Sequence, residues 1–273
     1  MHAVTVRGSI LSYAEAGSGP VVLFLHPLAF DHRLWKGQVA ALSPRWRCVL
    51  LDLRGHGGSS SAPDGTTLEA EAEVVSDFLR GIAAGPAHLA GLSMGGMIAL
   101  RLALDHPGQV RSLALLAASA EAEIAIRRRI FEGIATRGRD KGQAVVADEV
   151  FPHLLGPGFA AADPDGVASC RRIFLEADPA ANLPMALAAA RRTSVLSRLG
   201  EIRVPTLLLA GGEDGIAPPW RSRKMARSIP GARLHVLPGA GHLLAVERAG
   251  EVSELLAAFL DEAERQRPAG DRM

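Results

Sequence analysis

The chain has 273 residues, of which 48% are hydrophobic and 22% charged, and this composition is sufficient for one large α/β domain with a buried core. Its 30 basic residues nearly balance 29 acidic ones, so the net charge of +1 argues against a dedicated nucleic-acid binder and against attraction to an anionic membrane. The two cysteines, Cys48 and Cys170, have neither zinc-type spacing nor the pattern of a disulfide framework, which fits a reducing compartment.

The N-terminus alternates polar and apolar residues like a strand and lacks the apolar segment of a signal peptide. No later run reaches the roughly 18 apolar residues that a membrane span needs. We therefore expect a cytoplasmic protein that does not enter a membrane.

The first part of the chain alternates short apolar runs with helical patterns, which is typical of βαβ units in a parallel sheet covered on both faces. A hairpin over residues 4–16 comes first. The predicted strands that follow are Val21–Leu25, Cys48–Leu53, Ala87–Gly91 and Ser112–Ala117, and the predicted helices are Leu34–Leu42, Leu68–Ile82 and Met94–Asp105.

From about Ser119 to Leu199 the strand pattern disappears, and Ala-rich helical segments alternate with Pro/Gly stretches. The strand pattern returns at Thr206–Ala210 and Arg233–Leu237, and a closing amphipathic helix is predicted over Val252–Glu264. The sequence thus predicts a core in two parts, residues 1–118 and 200–264, a helical lid at residues 119–199, and a polar tail at residues 265–273.

The segment Gly91–Gly95 reads Gly-Leu-Ser-Met-Gly, and it lies between a predicted strand and a predicted helix. The Gly-x-Ser-x-Gly nucleophile elbow requires this context, because a sharp turn strains the central serine and only glycines let the flanking chain pass closely. The Ser93 hydroxyl would then stand above the carboxyl edge of the sheet, near helix N–H groups that favour negative charge. We therefore predict that Ser93 is an acyl-transfer nucleophile.

A serine nucleophile needs a base and an acid that orients the base. Asp214 follows one late predicted strand and His242 follows the next, which gives the chain order Ser, Asp, His. His242 is the predicted base and Asp214 the predicted acid, with Glu213 as the competitor for the acid role. The remaining histidines outside the N-terminal strand fit packing or loop positions better and are His26, His32, His56, His88, His106, His153 and His235.

The oxyanion of a tetrahedral intermediate needs two preorganised N–H donors. The backbone of Met94, directly after the nucleophile, is the first predicted donor. The second should come from the turn after the strand Val21–Leu25; because Pro27 has no N–H, Leu28 is the predicted donor and Ala29 the alternative.

With these motifs the chain resembles the α/β-hydrolase superfamily over nearly its whole length. The matching segments are His26-Pro27 with Trp35, Asp52–Gly57, the elbow at Ser93, the Asp214 turn and Gly241-His242. The resemblance implies an α/β-hydrolase fold, and the Asp31–Trp35 segment looks most like the small-lid esterases and enol-lactone hydrolases. Relatives often have His-Gly where this chain has His26-Pro27, which bears on the shape of the oxyanion loop. The serine at the elbow argues against haloalkane dehalogenases and epoxide hydrolases, which use a carboxylate there.

The predicted function is hydrolysis of a small carboxylic ester or lactone through an acyl-enzyme, without a metal or other cofactor and without a nucleic-acid partner. Carbon–carbon bond hydrolysis and cofactor-free haloperoxidase or perhydrolase chemistry use the same triad and stay open as alternatives. So does a ligand-binding protein on a hydrolase fold. The oligomeric state, monomer or dimer, is also left open.

The predicted lid carries consecutive arginines, any of which could bind a substrate carboxylate if it pointed inward. Consecutive arginines on a helix mostly face solvent, and we expect that of these. The segments are Arg127–Arg129, Arg171–Arg172 and Arg191–Arg192.

Overall fold

The computed structural model describes residues 1–266 and has an eight-stranded sheet at its centre. The strand order is β1-β2-β4-β3-β5-β6-β7-β8; β2 pairs antiparallel with β1 and β4, and every later pairing is parallel. The strands are β1 His2–Val6, β2 Ser9–Ala16, β3 Val21–Leu25, β4 Arg47–Leu51, β5 Ala87–Leu92, β6 Val110–Leu116, β7 Thr206–Gly211 and β8 Arg233–Leu237.

Eleven α-helices lie within the described residues. Their bounds are α1 Lys36–Leu42, α2 Leu68–Gly81, α3 Met94–Asp105, α4 Ala125–Lys141, α5 Gln143–Val150, α6 Pro157–Ala162, α7 Pro164–Glu176, α8 Pro179–Arg191, α9 Pro219–Ser228, α10 Leu244–Glu247 and α11 Ala249–Arg265. Short 3-10 turns lie at His32–Trp35, Pro107–Gln109, Phe151–His153 and Leu196–Glu201. No helix among residues 1–266 is both long and apolar enough to cross a membrane.

The central strands are buried on both faces because helices cover both sides of the sheet. Alternate residues of β3 belong to two different apolar clusters. Leu23 packs in the cluster that contains residues of α2 and α3, such as Phe78. Phe24 packs in the cluster that contains Trp35 and, from α11, Phe259. The sheet therefore has a continuous apolar layer on each side, and its carboxyl edge is left to loops.

Five helices, α4 to α8, occupy the stretch between β6 and β7 for which the sequence predicts a lid. Helix α4 packs against α8, and α5 packs against α7. Few residues of this group are fully buried: Gly138 is the single buried residue of α4, and α6 has none. The division into core and lid stays a prediction, whereas the helical character of the segment is plain.

Several element bounds differ from the prediction. Strand β4 stops at Leu51: Asp52 N still donates to Ser12 O of the antiparallel neighbour β2, but the next amide, Leu53 N, donates to a side chain, His26 Nε2. Helices α9 and α10 were not predicted. Helix α11 begins at Ala249 and includes Arg265, the first residue of the predicted tail; residues 267–273 of that tail lie outside the described residues.

Candidate active site

Ser93 lies at the turn between β5 and α3 with φ 53° and ψ −115°, a left-handed conformation that non-glycine residues rarely adopt. Its amide donates a hydrogen bond of 2.8 Å to Leu116 O in the neighbouring strand β6. The neighbouring glycines make this turn sterically possible. A Cβ on Gly91 would lie 2.5 Å from Gly95 O, and one on Gly95 would lie 2.1 Å from Leu25 O.

His242 and Asp214 form a buried pair at the carboxyl edge of the sheet. His242 Nδ1 lies 2.8 Å from Asp214 Oδ2, and the two residues are 3% and 4% exposed. Asp214 Oδ1 accepts two further hydrogen bonds, from Ile216 N and Ala217 N, each at 2.8 Å. Burial works against the charge of Asp214, but His242 and the two amide donors outweigh it and lower the pKa of the carboxyl. An ionised Asp214 accepts a hydrogen bond from Nδ1–H of His242, so the unprotonated nitrogen of the neutral ring is Nε2, which can act as a base.

The neighbouring acid does not share this position. Glu213 is exposed, and its amide donates to Ala240 O, whereas the next side chain along the chain, Asp214, turns inward to His242. The geometry thus separates the two carboxylates that the sequence left in competition.

The loop that carries His242 is hydrogen-bonded to the short segment between the 3-10 turn Phe151–His153 and helix α6. The amides of His242 and Leu243 both donate to Leu154 O, at 2.9 and 3.0 Å. Glu247 Oε2 accepts from Gly156 N and Gly241 N, both at 2.8 Å. Burial raises the pKa of Glu247, against the opposing effect of these amide donors. One carboxylate thus connects the lid segment to the histidine loop.

A cavity of about 350 Å³ opens over the carboxyl edge, and both Ser93 and His242 line it. Leu28 and Met94 line it as well, so the structure brings together four of the five predicted site residues, while Asp214 lies behind His242. Met94 is the first residue of α3, a position at which an N–H has no acceptor within the helix. The other walls are mainly apolar and come from the predicted lid: Phe131, Ile134, Val146, Leu154, Phe174 and Ala186 are among them.

The predicted oxyanion turn is a tight turn closed by a hydrogen bond from Phe30 N to Pro27 O at 3.3 Å, with Ala29 at φ 61°. His26, buried beneath it, fixes this turn. Leu53 N donates to His26 Nε2 at 2.9 Å, so the imidazole carries its proton on Nδ1 and donates it to Pro27 O at 2.8 Å. Burial lowers the pKa of His26, consistent with the neutral ring that these bonds require. The sequence favours a packing or loop position for His26 and does not predict this role.

The Asp52–Ser60 turn supports the same region without lining the cavity. Asp52 accepts from His32 N and His32 Nδ1, at 2.9 and 2.8 Å, and from Gly58 N at 3.1 Å. The ring of His56 packs 4.9 Å from that of His26, and burial lowers the pKa of His56 to about 3.

Within residues 1–266, one set of side chains is close enough to share a metal ion: Asp31, His32 and Asp52. Their donor atoms already have protein partners. Asp31 is held by the guanidinium of Arg33, and Asp52 by His32. These ion pairs account for the cluster, and none of the three residues is among those that line the cavity.

A second charged cluster does reach the cavity. Glu123 pairs with Arg192 at 2.7 Å and with Arg221 at 2.9 Å, and all three residues line the cavity wall. Arg192 is a buried exception to the expectation that the lid arginines face solvent, and half-buried Arg127 also turns inward, to Glu123 and to Ile216 O. Arg171 and Arg191 are surface residues paired with acidic side chains, and Arg128, Arg129 and Arg172 are exposed or half-buried at the surface.

Comparison with known proteins gives a consistent set of similarities. Residues 20–249 match the protein family described as alpha/beta hydrolase fold. A Pseudomonas putida relative, the dihydrolipoyllysine-residue acetyltransferase component of the acetoin cleaving system, is 33% identical over 264 residues, 93% of this chain and 68% of the relative. The malate-bound thermophilic esterase from Thermogutta terrifontis superposes with a TM-score of 0.92 at 29% identity, covering 96% of this chain and 99% of the esterase. The enol-lactonase from Burkholderia xenovorans LB400 gives a TM-score of 0.89 at 29% identity, covering 95% of this chain and all of the lactonase, 100%.

Proposed function

The chain belongs to the α/β-hydrolase family, which confirms the predicted fold class, and on this premise we propose that it is a serine hydrolase that cleaves a small carboxylic ester or lactone. The observation that carries the proposal is the Asp214–His242 pair, which faces the same cavity as the strained Ser93. A hydroxyl, a buried acid and a base in the chain order Ser, Asp, His are the parts that acyl transfer requires.

The proposed reaction has two steps. Ser93 Oγ attacks the carbonyl carbon while His242 Nε2 takes the hydroxyl proton, and Asp214 stabilises the imidazolium that forms. The amides of Leu28 and Met94 donate to the oxyanion. His242 then returns the proton to the leaving alkoxide, which leaves an acyl-enzyme on Ser93. Water activated by His242 releases the acid; for a lactone, the alcohol remains attached to the product.

The size and lining of the cavity favour a small, mainly apolar substrate. The predicted lid, residues 119–199, supplies much of this lining and would exclude water during acyl transfer. The structural neighbours named as an esterase and an enol-lactonase support the two bond types that we propose. The relative named as an acetyltransferase component makes the choice of acyl acceptor worth measuring.

The proposal is tested by labelling the protein with a fluorophosphonate, mapping the adduct by peptide mass, and measuring rates on p-nitrophenyl acetate, p-nitrophenyl butyrate and γ-butyrolactone. We expect one adduct, on Ser93, and turnover of at least one substrate with water as acceptor. Ser93→Ala should lower the rate by roughly 1,000-fold or more. Ser61→Ala removes an exposed hydroxyl outside the cavity and should keep the wild-type rate. A labelled residue other than Ser93, or an active Ser93→Ala variant, would overturn the mechanism.

A further inference from the structure

One cluster at the cavity wall, centred on Glu123, contains more positive than negative charge, while the other acidic lining residue, Glu149, pairs with Arg137. The Glu123 oxygens accept hydrogen bonds from Arg192 Nη2 at 2.7 Å and from Arg221 Nη2 at 3.0 Å, and Arg127 Nε approaches the same carboxylate at 3.3 Å. The side chains of Glu123, Arg192 and Arg221 are 3%, 4% and 6% exposed. One carboxylate therefore faces three guanidinium groups, two of them almost fully buried. Burying uncompensated charge is costly, so an anionic ligand at this place is stabilised strongly.

The two buried arginines also have hydrogen-bond donors to spare. Arg221 Nε is buried and has no hydrogen-bond partner among the described residues. Arg192 donates once from each of its three nitrogens, to Glu121 O, Ala189 O and Glu123, and a guanidinium has five N–H groups. Both residues line the cavity that Ser93 and His242 line. The unused donors of Arg192 and Arg221 and the excess positive charge around Glu123 therefore lie on the same wall of the cavity.

A third polar side chain on the cavity wall, that of Asn182, also carries a buried hydrogen-bond donor. Asn182, on α8, is 6% exposed, and its Nδ2 has no hydrogen-bond partner among the residues described. It lines the cavity too. Buried donors without acceptors are uncommon in folded proteins, and a bound ligand with acceptor atoms explains them.

We propose that Arg192 and Arg221 bind a carboxylate on the substrate, so that the preferred substrates are esters or lactones of small acids that carry a second, ionised carboxyl group. A guanidinium fork matches the planar carboxylate, as Arg221 already illustrates: its Nη1 and Nη2 lie 2.9 and 3.0 Å from the two oxygens of Glu123. This inference rests on the proposed serine hydrolase function. The competing interpretation gives the cluster a structural role only, in which it holds Glu123 and the end of α8 against α9.

The two interpretations predict different values for one ratio, which is kcat/KM for an ester with a second carboxylate divided by kcat/KM for the matched neutral ester. The monomethyl esters of succinate, glutarate and adipate are compared with methyl butanoate, pentanoate and hexanoate, in which a methyl group replaces the carboxylate. Release of methanol gives kcat/KM for each pair. We expect the wild type to prefer the half-ester by about tenfold or more for at least one chain length, the effect of one charge-assisted hydrogen bond. A preference for the neutral ester at all three lengths would overturn the inference.

Substitutions show which residues produce the preference for the half-ester. Arg221→Gln should reduce the ratio about tenfold, mainly through KM of the half-ester, whereas a purely structural role would lower both rates together. Arg223→Gln, on the same helix but exposed, is the matched control and should leave the ratio unchanged. Glu123→Gln removes the competing carboxylate and should increase the ratio. If one of these variants does not fold, the others still decide, and an unchanged ratio in a folded Arg221→Gln would overturn the inference.

A second measurement does not depend on ester turnover. Succinate, glutarate and adipate should slow fluorophosphonate labelling of Ser93 competitively, at concentrations about tenfold lower than butanoate, pentanoate or hexanoate, and Arg221→Gln should abolish that difference. Equal protection by both sets would contradict carboxylate binding even if no methyl ester is cleaved. Failure of Ser93 to react at all would instead contradict the proposed function itself.

Discussion

At the scale of single residues, the site is defined by carboxylates whose surroundings differ. Asp214 has three hydrogen-bond donors on its two oxygens, and its pKa is lowered despite burial. Glu247 has two amide donors on one oxygen and none on the other, and its pKa is raised by burial. The first environment fixes a permanent anion beside His242. The second makes ionisation of Glu247 less favourable than that of an exposed glutamate.

Asp214→Asn tests the anion beside the histidine. The amide can still accept from Ile216 N and Ala217 N, but its charge is lost and its NH₂ group can donate to His242 Nδ1, which favours the wrong imidazole tautomer. We expect kcat on a p-nitrophenyl ester to fall by about 1,000- to 10,000-fold with little change in melting temperature. The exposed neighbour provides the control, since Glu213→Gln should retain wild-type kcat.

Glu247→Gln tests the raised pKa through stability. A raised folded-state pKa means that Glu247 favours the folded state below its unfolded pKa and loses this contribution as pH rises through the folded value. Glutamine does not ionise, so the melting temperature of the variant minus that of the wild type should increase as pH is raised from about 4, below the unfolded pKa of glutamate, to about 8. Any packing change that is independent of pH cancels in this comparison. The exposed Glu254→Gln on α11 should give a constant difference.

At the scale of elements, strand β4 ends where a side chain accepts the next available backbone hydrogen bond, that of Leu53 N. The fully apolar runs of β3 and the alternating run of β8 were predicted with correct bounds, and so was α3 between the elbow and the His106-Pro107 pair. The end of β4 was not predicted, because it depends on His26, which lies far from it in sequence. Helix α9 was missed because its sequence, PWRSRKMARS, has too few apolar positions for a helical pattern.

In the candidate site, too, a residue could be predicted where its position along the chain defines its role, and not where its role depends on partners distant in sequence. Ser93, Asp214 and His242 could be predicted because each follows a strand in a fixed order, and Leu28 and Met94 because backbone position alone defines an oxyanion donor. Glu247 and Glu123 could not be predicted. Their roles depend on partners that only the folded chain brings close, such as Gly156 for Glu247 and Arg221 for Glu123.

The contact between the lid segment and the histidine loop gives an element-scale prediction. A Cβ on Gly156 would lie 2.3 Å from Gly239 O and 3.0 Å from Glu247 Oε2, so Gly156→Ala must push the two segments apart. We expect a loss of about 1–3 kcal/mol in the free energy of unfolding, measured in urea, together with a lower kcat. Gly158→Ala is the matched control because a Cβ there meets nothing within 4 Å, and it should be neutral or slightly stabilising. Equal stability of the two variants would contradict the close contact.

At the scale of the whole molecule, burial is distributed unevenly. Every residue of α3 except Asp105 is buried between the sheet and its neighbours, whereas in α4 only Gly138 is. Segments with few buried contacts open at lower free energy than the core. The cavity thus lies between a rigid floor, the carboxyl edge of the sheet, and a cover that is held by fewer apolar contacts.

Hydrogen exchange measures the difference in local stability between α3 and α4. We expect the amides of α4 to exchange at least about tenfold faster than those of α3, and a fluorophosphonate adduct on Ser93 to slow the exchange of α4 more than that of α3. Equal protection of the two helices in the free protein would show that the predicted lid opens only when the core unfolds.

The two hydrogen bonds that Leu154 O accepts from His242 N and Leu243 N have a bearing on how such proteins diversify. Because the acceptor is a backbone carbonyl, these two hydrogen bonds do not depend on which side chain stands at position 154, as long as the local path of the chain is kept. Recombination is more constrained. A recombination event that replaced the whole segment between β6 and β7 would also replace the residue at position 154, whose carbonyl accepts the hydrogen bonds of the histidine loop. New specificities should therefore arise more readily by point substitution on the inner face of α4 and α8 than by exchange of the entire insertion.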